Sequence, residues 1–367
     1  MKRKPAKPRR RGPDELVALG HEHAERGELA AAEARYRDAL ALAPDHLGAI
    51  TLLGLLLVDR DDPDAAIDVL ERGRELAPGF APVQLALGSA YAAAGHDELA
   101  VTAMETAIKL DADSTVPLER LAKHHIRAHR PREAIGLLRR ILRRDPSHAH
   151  ARFLLAGLTG SPAGDSAEAP VVAPPPSELI ADLFDTYAAS FDQQLVGGLQ
   201  YRAPQALAAL LAGLGAVADR SWCVVDLGCG TGLAGVELRG YARTLIGSDL
   251  SKRMIARARE RDLYDELHVE DLATTLARVR DVDLIVAADV FLYVGALDAT
   301  IAACAAALRP GGLLAFSVER STGGDVVLQP TLRYAHGEPY ILGLAAAHGL
   351  AVERAEPSIL RIERGEP

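Results

Sequence analysis

Residues 224–232 read VVDLGCGTG, and this stretch decides the fold of the region around it. The apolar residues indicate a buried strand, and three glycines, Gly228, Gly230 and Gly232, follow it directly. Because glycine accepts left-handed backbone and carries no side chain, a ligand can press against such a loop and the helix N-terminus behind it. The order of strand, glycine loop and helix indicates a site for a nucleotide-like ligand.

The details of this loop exclude two common phosphate sites. Leu233 stands where the dinucleotide fingerprint GxGxxG has its third glycine, and no Gly-Lys-Ser/Thr appears for a phosphate loop. Asp226, two residues before the first glycine, would repel a pyrophosphate. A carboxylate at that position suits a ligand that carries an amino group instead.

The sequence around this loop alternates short apolar runs with helical stretches. Such alternation is typical of a parallel sheet with crossover helices. Five runs predict strands: Trp222–Leu227, Thr244–Ser248, Glu266–Val269, Leu284–Ala288 and Leu313–Val318. With helices between them, these strands predict a doubly wound α/β core.

The segment DLGCGTG resembles motif I of the class I S-adenosylmethionine-dependent methyltransferases, and four further landmarks of that family follow in order. Asp249 ends the second strand, where the family's acid accepts the ribose hydroxyls. Asp271 resembles the acceptor for the adenine amino group. Residues 289–293 (DVFLY) resemble the motif that borders the transferred methyl group, and residues 308–312 (LRPGG) resemble the turn into the fifth strand.

The resemblance implies S-adenosyl-L-methionine as the cofactor and a set of residues that contact it. That set is Asp226, Gly228, Cys229, Gly230, Gly232, Asp249, Leu250, Asp271, Leu272 and Asp289. Alternatives remain: Asp249 and Asp271 could each cap the following helix, which is compatible with ligand contact. Asp226 could be a purely structural acid, and we interpret Cys229 as a small filler of the loop, not as a nucleophile.

The chemistry of methyl transfer names few obligatory residues. The sulfonium methyl group is intrinsically electrophilic, so the protein mainly holds the reacting atoms in line and excludes water. An oxygen or nitrogen nucleophile also has to lose a proton to a base within hydrogen-bond reach. The catalytic candidates are Asp289, Tyr293 and His336, the last because the ordinary pKa of histidine lies near neutrality.

The first 150 residues carry a different pattern, a repeat of 34 residues. Three series recur at this spacing: Ala32, Ala66, Ala100 and Ala134; Gly27, Asp61, Gly95 and His129; Pro44, Pro78, Ala112 and Pro146. Each copy fits two helices, with the small alanine where they approach closely and the proline where the second helix ends. The predicted pairs are Asp14–Arg26 and Glu28–Leu42, His46–Arg60 and Pro63–Leu76, Ala81–Ala94 and Glu98–Leu110, and Thr115–Ala128 and Arg132–Arg143. The pattern resembles the tetratricopeptide repeat (TPR), which implies a solenoid whose groove binds a protein partner or substrate.

An aromatic-rich stretch, LFDTYAASFDQQLVGGLQYRAP (residues 183–204), precedes the glycine loop. Together with the repeats, it resembles a group of predicted bacterial methyltransferases that carry N-terminal TPR repeats, and the resemblance covers nearly the whole chain. By that likeness Tyr187, Phe191, Tyr201 and Arg202 cover the cofactor. The alternative is that these aromatic residues are only the core of an added helix.

These patterns divide the chain into four parts: a disordered basic tail (1–13), a TPR domain of four repeats plus a closing helix (14–157), a proline-rich linker (158–177) and a class I methyltransferase domain (178–367). The closing helix is predicted over His148–Leu158. The fold class is therefore α plus α/β, an N-terminal TPR α-solenoid followed by a Rossmann-like doubly wound methyltransferase domain.

The end of the sequence departs from the family it resembles. The family's chains continue past the segment matching Leu360–Pro367 with a further strand, which inserts antiparallel between the fifth and sixth strands. Its absence predicts a gap in the sheet. Either Ala351–Ala355 and Ile359–Glu363 form a shortened hairpin, or the protein is truncated and its sheet edge is less stable.

Composition and charge narrow the setting of the protein. Its 367 residues are 49% hydrophobic and 25% charged, which is ordinary for a globular protein, and no apolar run approaches the roughly 20 residues of a membrane span. Three scattered cysteines favour a reducing compartment and exclude a CxxC metal site. We therefore expect a cytoplasmic protein with no membrane segment and no metal.

The charges are unevenly distributed. Residues 1–11 carry seven positive charges, so the rest of the chain sums to −16 against a total of −9, and this acidic body disfavours nucleic acid as a partner. Residues 120–144 are an exception, with nine Lys/Arg against Glu133. This basic end of the repeats could dock an acidic partner, nucleic acid or the second domain, or be a solvated face.

The sequence thus predicts an S-adenosylmethionine-dependent methyltransferase tethered to a TPR array that recruits a protein partner or substrate. Protein, small metabolite and RNA all stay open as the methyl acceptor. The alternative is a TPR scaffold whose second domain binds the cofactor without catalysing transfer.

Overall fold

The computed structural model describes residues 11–159, 175–188, 191–192, 195 and 200–362. The chain divides into two compact units, Met1–Pro146 and Ser147–Pro367. Most of the predicted basic tail and of the predicted proline-rich linker lies outside the described residues.

The first unit is built from helices that agree with the predicted spans to within one residue at each end. They are α1 (Pro13–Glu25), α2 (Leu29–Leu42), α3 (Leu47–Asp59), α4 (Pro63–Leu76), α5 (Ala81–Ala93), α6 (Asp97–Leu110), α7 (Val116–Arg127) and α8 (Pro131–Arg144). The alanines of the first repeating series, Ala32, Ala66, Ala100 and Ala134, are all 0% exposed. The prediction that a small residue stands where paired helices approach closely is therefore confirmed.

A further series at the same spacing, which the sequence analysis missed, completes this packing. Three glycines each face a large side chain of the paired helix: Gly20 faces Tyr36, Gly54 faces Leu70 and Gly88 faces Met104. A Cβ added to Gly20 or Gly88 would lie 2.5 Å from an atom of that side chain, so even alanine does not fit there without movement. In each of these three pairs, a glycine on the first helix thus makes space for a large side chain on the second helix.

The second predicted series marks the turn between the paired helices. Gly27, Asp61, Gly95 and His129 have φ angles of +76°, +61°, +78° and +55°. All four therefore adopt left-handed backbone, which glycine accepts most easily. The repeat retains the conformation in every copy while the residue type varies.

The second unit alternates strands and helices. Its elements are α9 (Ala149–Thr159), α10 (Ser177–Tyr187), α11 (Ala203–Gly213), β1 (Trp222–Leu227), α12 (Leu233–Leu238), β2 (Ala242–Asp249), α13 (Lys252–Glu260), β3 (Glu266–Val269), α14 (Leu272–Arg278), β4 (Val282–Ala287), a 3₁₀ turn (Phe291–Tyr293), α15 (Asp298–Ala307), β5 (Leu308–Phe316), β6 (Glu319–Arg320), β7 (Val326–Leu328), β8 (Tyr334–His336) and α16 (Glu338–Ala347).

The first five strands form one parallel sheet in the order β3-β2-β1-β4-β5, which confirms the doubly wound core. Val224 and Val225, neighbours on β1, are both 0% exposed. They belong to separate apolar clusters, one with Leu211 of α11 and the other with Ile301 of α15. Both faces of the sheet are therefore covered by helices.

The segment LRPGG was predicted to be a turn that leads into the fifth strand, and the structure corrects this. β5 already begins at Leu308, which pairs with Val282, and the pairing then shifts so that Leu284 lies opposite Leu313. The residues between form a bulge inside the strand.

Helix α9 coincides with the predicted closing helix but belongs to the second unit. Phe153 faces Tyr334, with ring centroids 6.3 Å apart, and Gly157 admits the side chain of Leu332. Since these contacts are made within the second unit, α9 packs there on the segment that leads into β8.

The described residues 351–362 contain no strand, so the predicted hairpin of Ala351–Ala355 and Ile359–Glu363 is wrong as far as the structure describes it. A cavity of about 1280 Å³ runs along β5, and α11, α16 and residues 348–361 line it. Across the described chain, every helix is too short or too polar to cross a membrane.

Candidate cofactor site

The glycine loop begins at the carboxyl end of β1 and leads into α12. Gly228, Gly230 and Gly232 have φ angles of +62°, +55° and +87°, so all three require left-handed backbone. The Cys229 N–H donates to the Ser248 carbonyl at 2.9 Å, which ties the loop to the end of β2. The loop is therefore held against the edge where the two strands end.

Asp226 lies directly beneath this loop and is only 1% exposed. The Tyr264 hydroxyl donates to its Oδ2 at 2.6 Å. Burial raises the pKa of Asp226 to about 7, although the hydrogen bond from Tyr264 lowers it, and the neighbouring charge of Asp249 adds to the rise. This carboxylate is therefore poised to ionise close to neutral pH.

Asp249 ends β2 on the other side of the loop. Its Oδ2 accepts from the Gly230 N–H at 3.0 Å, and its Oδ1 accepts from the Ser251 N–H at 2.8 Å. Burial raises its pKa to about 6, against the lowering effect of these two backbone donors. The prediction that Asp249 could cap α13 is wrong, because Ser251 is the cap and accepts from the Met254 N–H.

Asp271 and the two neighbouring leucine candidates lie at the ends of β2 and β3. Asp271 is exposed and caps α14, since its Oδ1 accepts from the Thr274 N–H at 2.7 Å. Leu250 and Leu272 are partly buried. The capping interpretation of Asp271 is thus confirmed. As the cap of α14, the residue lies close to the carboxyl end of β3.

Cys229 fits the interpretation of a small loop filler. It is 6% exposed, and burial together with the charge of Asp226 raises the pKa of its thiol well above the ordinary range. The residue is therefore a protonated thiol at neutral pH, which is a poor nucleophile.

Asp289 follows β4 and adopts left-handed backbone, with φ at +58°. Its Oδ1 accepts from the Ser317 hydroxyl at 2.9 Å, and its Oδ2 accepts from Arg361 Nη1 at 2.9 Å. Arg361 also lies 3.6 Å from a carboxylate oxygen of Glu319. Both oxygens of the first catalytic candidate therefore already have partners.

The other two catalytic candidates have different surroundings. Tyr293 ends the 3₁₀ turn, and its ring meets Phe184 edge-on at 5.2 Å. His336 is 1% exposed, its Nε2 lies 2.7 Å from the Gly295 carbonyl, and burial lowers its pKa. These contacts favour a structural role for His336 over the predicted role of base.

Two described residues of the aromatic-rich segment, Phe191 and Asp192, lie over the glycine loop. The Phe191 ring is 3.7 Å from the position that a Cβ on Gly230 would take. Asp192 accepts from the Thr231 hydroxyl and from the guanidinium of Arg261. These two residues therefore cover the loop with an aromatic ring and an ion pair.

The same segment is also fastened to the neighbouring helix. Asp185, near the end of α10, accepts from the Ser251 hydroxyl and from the Arg253 N–H. The segment is therefore joined to this end of the sheet at two places, through Asp192 at the glycine loop and through Asp185 at the start of α13.

The remaining predicted covering residues are not all brought to the site. The Tyr201 hydroxyl lies 3.5 Å from the Ala288 carbonyl, and burial, with the charges of Asp289 and Asp226, raises its pKa well above the ordinary range. Arg202 is exposed and occupies the position before α11 without a side-chain cap, while its backbone N–H donates to the Leu360 carbonyl. The side chain of Tyr187 lies outside the described part of the chain.

Comparison with known proteins agrees with this Rossmann-like fold and its acid-flanked loop. A family model described as a methyltransferase domain matches residues 224–312, which contain the glycine loop, Asp226 and Asp249. Three models described as tetratricopeptide repeat match residues 23–84, 81–114 and 119–158. The chain therefore carries TPR repeats followed by a methyltransferase domain.

The curated relatives are methyltransferases, and this chain matches part of the length of each. The chain is 37% identical over 97 residues to trans-aconitate 2-methyltransferase of Variovorax paradoxus, covering 26% of this chain and 38% of the relative. It is 30% identical over 95 residues to ubiquinone biosynthesis O-methyltransferase of Agrobacterium fabrum, covering 25% of this chain and 38% of the relative. The chain thus spans under two fifths of the length of each relative.

Among solved structures, the chain is similar to a thermophilic TPR protein of Thermus thermophilus, with 22% identity and a TM-score of 0.38. The match covers 40% of this chain and 80% of that protein.

Proposed function

We propose that the protein is an S-adenosylmethionine-dependent methyltransferase whose repeats bring it to a protein partner or substrate. The observation that carries this proposal is the placement of Asp226 and Asp249 at the ends of adjacent parallel strands, with the left-handed glycine loop held between them. A buried acid at each strand end suits a ligand with an ammonium group and a vicinal diol.

The chemistry of this donor set fits the adenosyl cofactor better than it fits a phosphate ligand. Two buried carboxylates at one loop repel anions, whereas Asp226 pairs with an ammonium group and Asp249 accepts from ribose hydroxyls. Asp271, at the end of β3, is the candidate acceptor for the adenine amino group. A Cβ on Gly228 would lie 2.7 Å from Val290, so glycine at this position lets the loop pass close to the segment after β4.

When bound, S-adenosylmethionine supplies an electrophilic methyl group. The residues of this chain then have to hold the nucleophile in line and keep water away. Phe191 and the ion pair of Asp192 with Arg261 lie over the loop and support a water-excluding role for this segment. Tyr293 and Tyr201 flank the Asp289 side, where the acceptor is expected.

The test of this proposal is transfer of a labelled methyl group from S-adenosylmethionine into cell extract. The full chain is expected to give a labelled product, and Asp226→Ala is expected to give none because it loses the ammonium partner. Glu353→Ala, which removes an exposed carboxylate of the same unit, is the matched control and should keep full transfer. Equal labelling by the wild type and Asp226→Ala would contradict the assignment.

The role proposed for the repeats can be tested in the full chain as well. Gly88→Leu forces a large side chain against Met104 and should disrupt the array. Trp222, the one tryptophan of the sequence, lies in β1, so its fluorescence reports whether the second unit stays folded. We expect labelling of a protein acceptor to fall while cofactor binding persists; unchanged labelling with a disrupted array would contradict recruitment by the repeats.

A second candidate function is favoured by the state of Asp289. Ser317 and Arg361 already occupy both of its oxygens, and His336 is buried against Gly295. A TPR scaffold whose second domain binds the cofactor without transferring its methyl group would tolerate this arrangement. Cofactor binding without any labelled product in the assay above would decide for the scaffold.

A further inference from the structure

The ring of Tyr264 occupies a slot that glycines from separate elements leave open. Tyr264 belongs to the connection between α13 and β3, and its ring packs beneath the glycine loop. A Cβ added to Gly235 of α12 would lie 2.6 Å from the Tyr264 hydroxyl oxygen, and one added to Gly247 of β2 would lie 2.8 Å from the ring. At Gly232 of the loop the corresponding distance is 3.1 Å.

This slot is more specific than the packing of a core side chain requires. A buried aromatic ring usually meets the side chains of its neighbours, whereas here three of the facing positions carry none. The absence of Cβ atoms at Gly232, Gly235 and Gly247 lets the ring pass between the loop, α12 and β2. The hydroxyl thereby reaches Asp226, which is 1% exposed beneath the loop.

The contact made at the end of this slot is a charge-assisted hydrogen bond. Tyr264 Oη donates to Asp226 Oδ2 at 2.6 Å, which is a short separation typical of a phenol bound to a carboxylate. Burial, together with the charge of Asp226, raises the pKa of Tyr264 well above the ordinary range, so the phenol keeps its proton and acts as the donor. One oxygen of Asp226 is thus fixed in direction by the tyrosine.

We propose that Tyr264 is a positioning residue that holds the Asp226 carboxylate, in its ionised form, for the ammonium group of the cofactor's amino-acid part. This inference rests on the proposed function, because that function supplies the ammonium group. It adds a specificity role for a residue outside the glycine loop, and it explains why glycine stands at positions 232, 235 and 247.

Other titratable groups also act on the Asp226 carboxylate. Asp249 faces it from β2 and disfavours its ionisation, while the Cys229 thiol and the Tyr201 phenol approach from the loop and from the segment before α11. Among Asp249, Cys229, Tyr201 and Tyr264, it is Tyr264 that favours the ionised form of Asp226, because its hydroxyl donates a hydrogen bond to the carboxylate. Removal of its hydroxyl alone should therefore move the ionisation of Asp226 to higher pH.

The test is Tyr264→Phe in the full chain, which removes the hydroxyl but keeps the ring in its slot. Binding of S-adenosylhomocysteine is measured by calorimetry from pH 6 to pH 8.5, beside binding of 5′-methylthioadenosine, which has the nucleoside but no amino-acid part. Tyr241→Phe is the matched control, since it removes a hydroxyl from a tyrosine that stacks on Trp222 in the same unit.

For Tyr264→Phe we expect S-adenosylhomocysteine to bind about tenfold more weakly at pH 7, as for loss of one hydrogen bond to a charged group. The pH at which binding is half-maximal should rise by about one unit, and affinity should recover towards pH 8.5. The affinity for 5′-methylthioadenosine should not change. Tyr241→Phe should behave as the wild type with both ligands.

Two results would overturn the inference while leaving the proposed function intact: an unchanged pH profile for S-adenosylhomocysteine in Tyr264→Phe, or an equal loss of affinity for both ligands. The second would show that the hydroxyl only maintains the shape of the site. Failure of the wild type to bind S-adenosylhomocysteine at all would overturn the proposed function and this inference together.

Discussion

The two units of the protein use left-handed backbone in different ways. In the repeats, the turn positions Gly27, Asp61, Gly95 and His129 all have positive φ, and a Cβ added to either glycine would meet nothing within 4 Å. In the loop after β1, positive φ occurs at Gly228, Gly230 and Gly232, and each added Cβ would meet a neighbour. The repeat turns need only left-handed backbone, whereas the loop needs left-handed backbone and also lies close to neighbouring side chains.

This difference explains which residues each region accepts. Aspartate and histidine occupy left-handed turns at a modest conformational cost, so they replace glycine in two of the four repeats. In the loop after β1, Val290 and Tyr264 lie where side chains at Gly228 and Gly232 would go, whereas a Cβ on Gly230 would only touch Phe191 at 3.7 Å. A close approach of surrounding groups therefore distinguishes this loop from the repeat turns.

The largest effect expected from this comparison is that of Gly228→Ala against Gly27→Ala. The first combines left-handed strain with overlap on Val290 and should destabilise the second unit by about 3 kcal/mol. The second has strain alone and should destabilise the repeats by about 1 kcal/mol. Trp222 fluorescence follows unfolding of the second unit, and far-UV circular dichroism follows the helices.

Equal losses for the two substitutions would break the comparison. Gly95→Ala provides a control within the repeats, because its surroundings are as open as those of Gly27. It should behave as Gly27→Ala does.

A second, pH-dependent effect is expected at Asp226. Its folded pKa of about 7 lies well above the ordinary value of an aspartate, so the folded state keeps a proton that the unfolded state has lost. The contribution to stability is therefore full below about pH 4, declines as the pH rises towards 7, and is lost above it. Asp226→Asn removes this decline and should be more stable than the wild type at pH 8, by on the order of 3 kcal/mol.

Thermal unfolding followed by Trp222 fluorescence at pH 5, 6, 7 and 8 measures this effect. The gap between Asp226→Asn and the wild type should widen with rising pH, while Glu353→Gln, at an exposed position, should track the wild type throughout. A gap that is constant with pH would show that the carboxylate ionises freely in the folded state.

The smallest effect is expected in the repeat turns. Asp61→Gly relieves left-handed strain at an exposed position and should stabilise the repeats by about 0.5 kcal/mol. The reverse change, Gly27→Asp, should destabilise them by a similar amount. Urea unfolding followed by circular dichroism gives both values, and a loss of stability in Asp61→Gly would show that the aspartate side chain is needed at the turn.

Much of the fold could be predicted because its determinants are local or periodic. The 34-residue spacing fixed the helices of the repeats to within one residue, and β1 and β3 match their predicted bounds. Asp226 and Asp249 could be placed together because parallel strands end at one edge of a sheet. The left-handed backbone of the loop could be predicted from its three glycines.

What could not be predicted depends on contacts between distant positions. Tyr264 lies 38 residues from Asp226, and Arg361 lies 72 residues from Asp289, so neither pairing leaves a local pattern. His336 looked available by its ordinary pKa, but its burial against Gly295 appears only in three dimensions. The contacts of α9 with the segment before β8 are likewise non-local.

The central claim is that the acid-flanked glycine loop binds an adenosyl amino-acid ligand, and calorimetric titration of the full chain with S-adenosylhomocysteine tests it most directly. We predict that the wild type binds, that Asp249→Ala binds more than about tenfold more weakly because a buried charged acceptor is lost, and that Glu353→Ala binds as the wild type does. Equal affinity of Asp249→Ala and the wild type, or no binding by the wild type, would contradict the account.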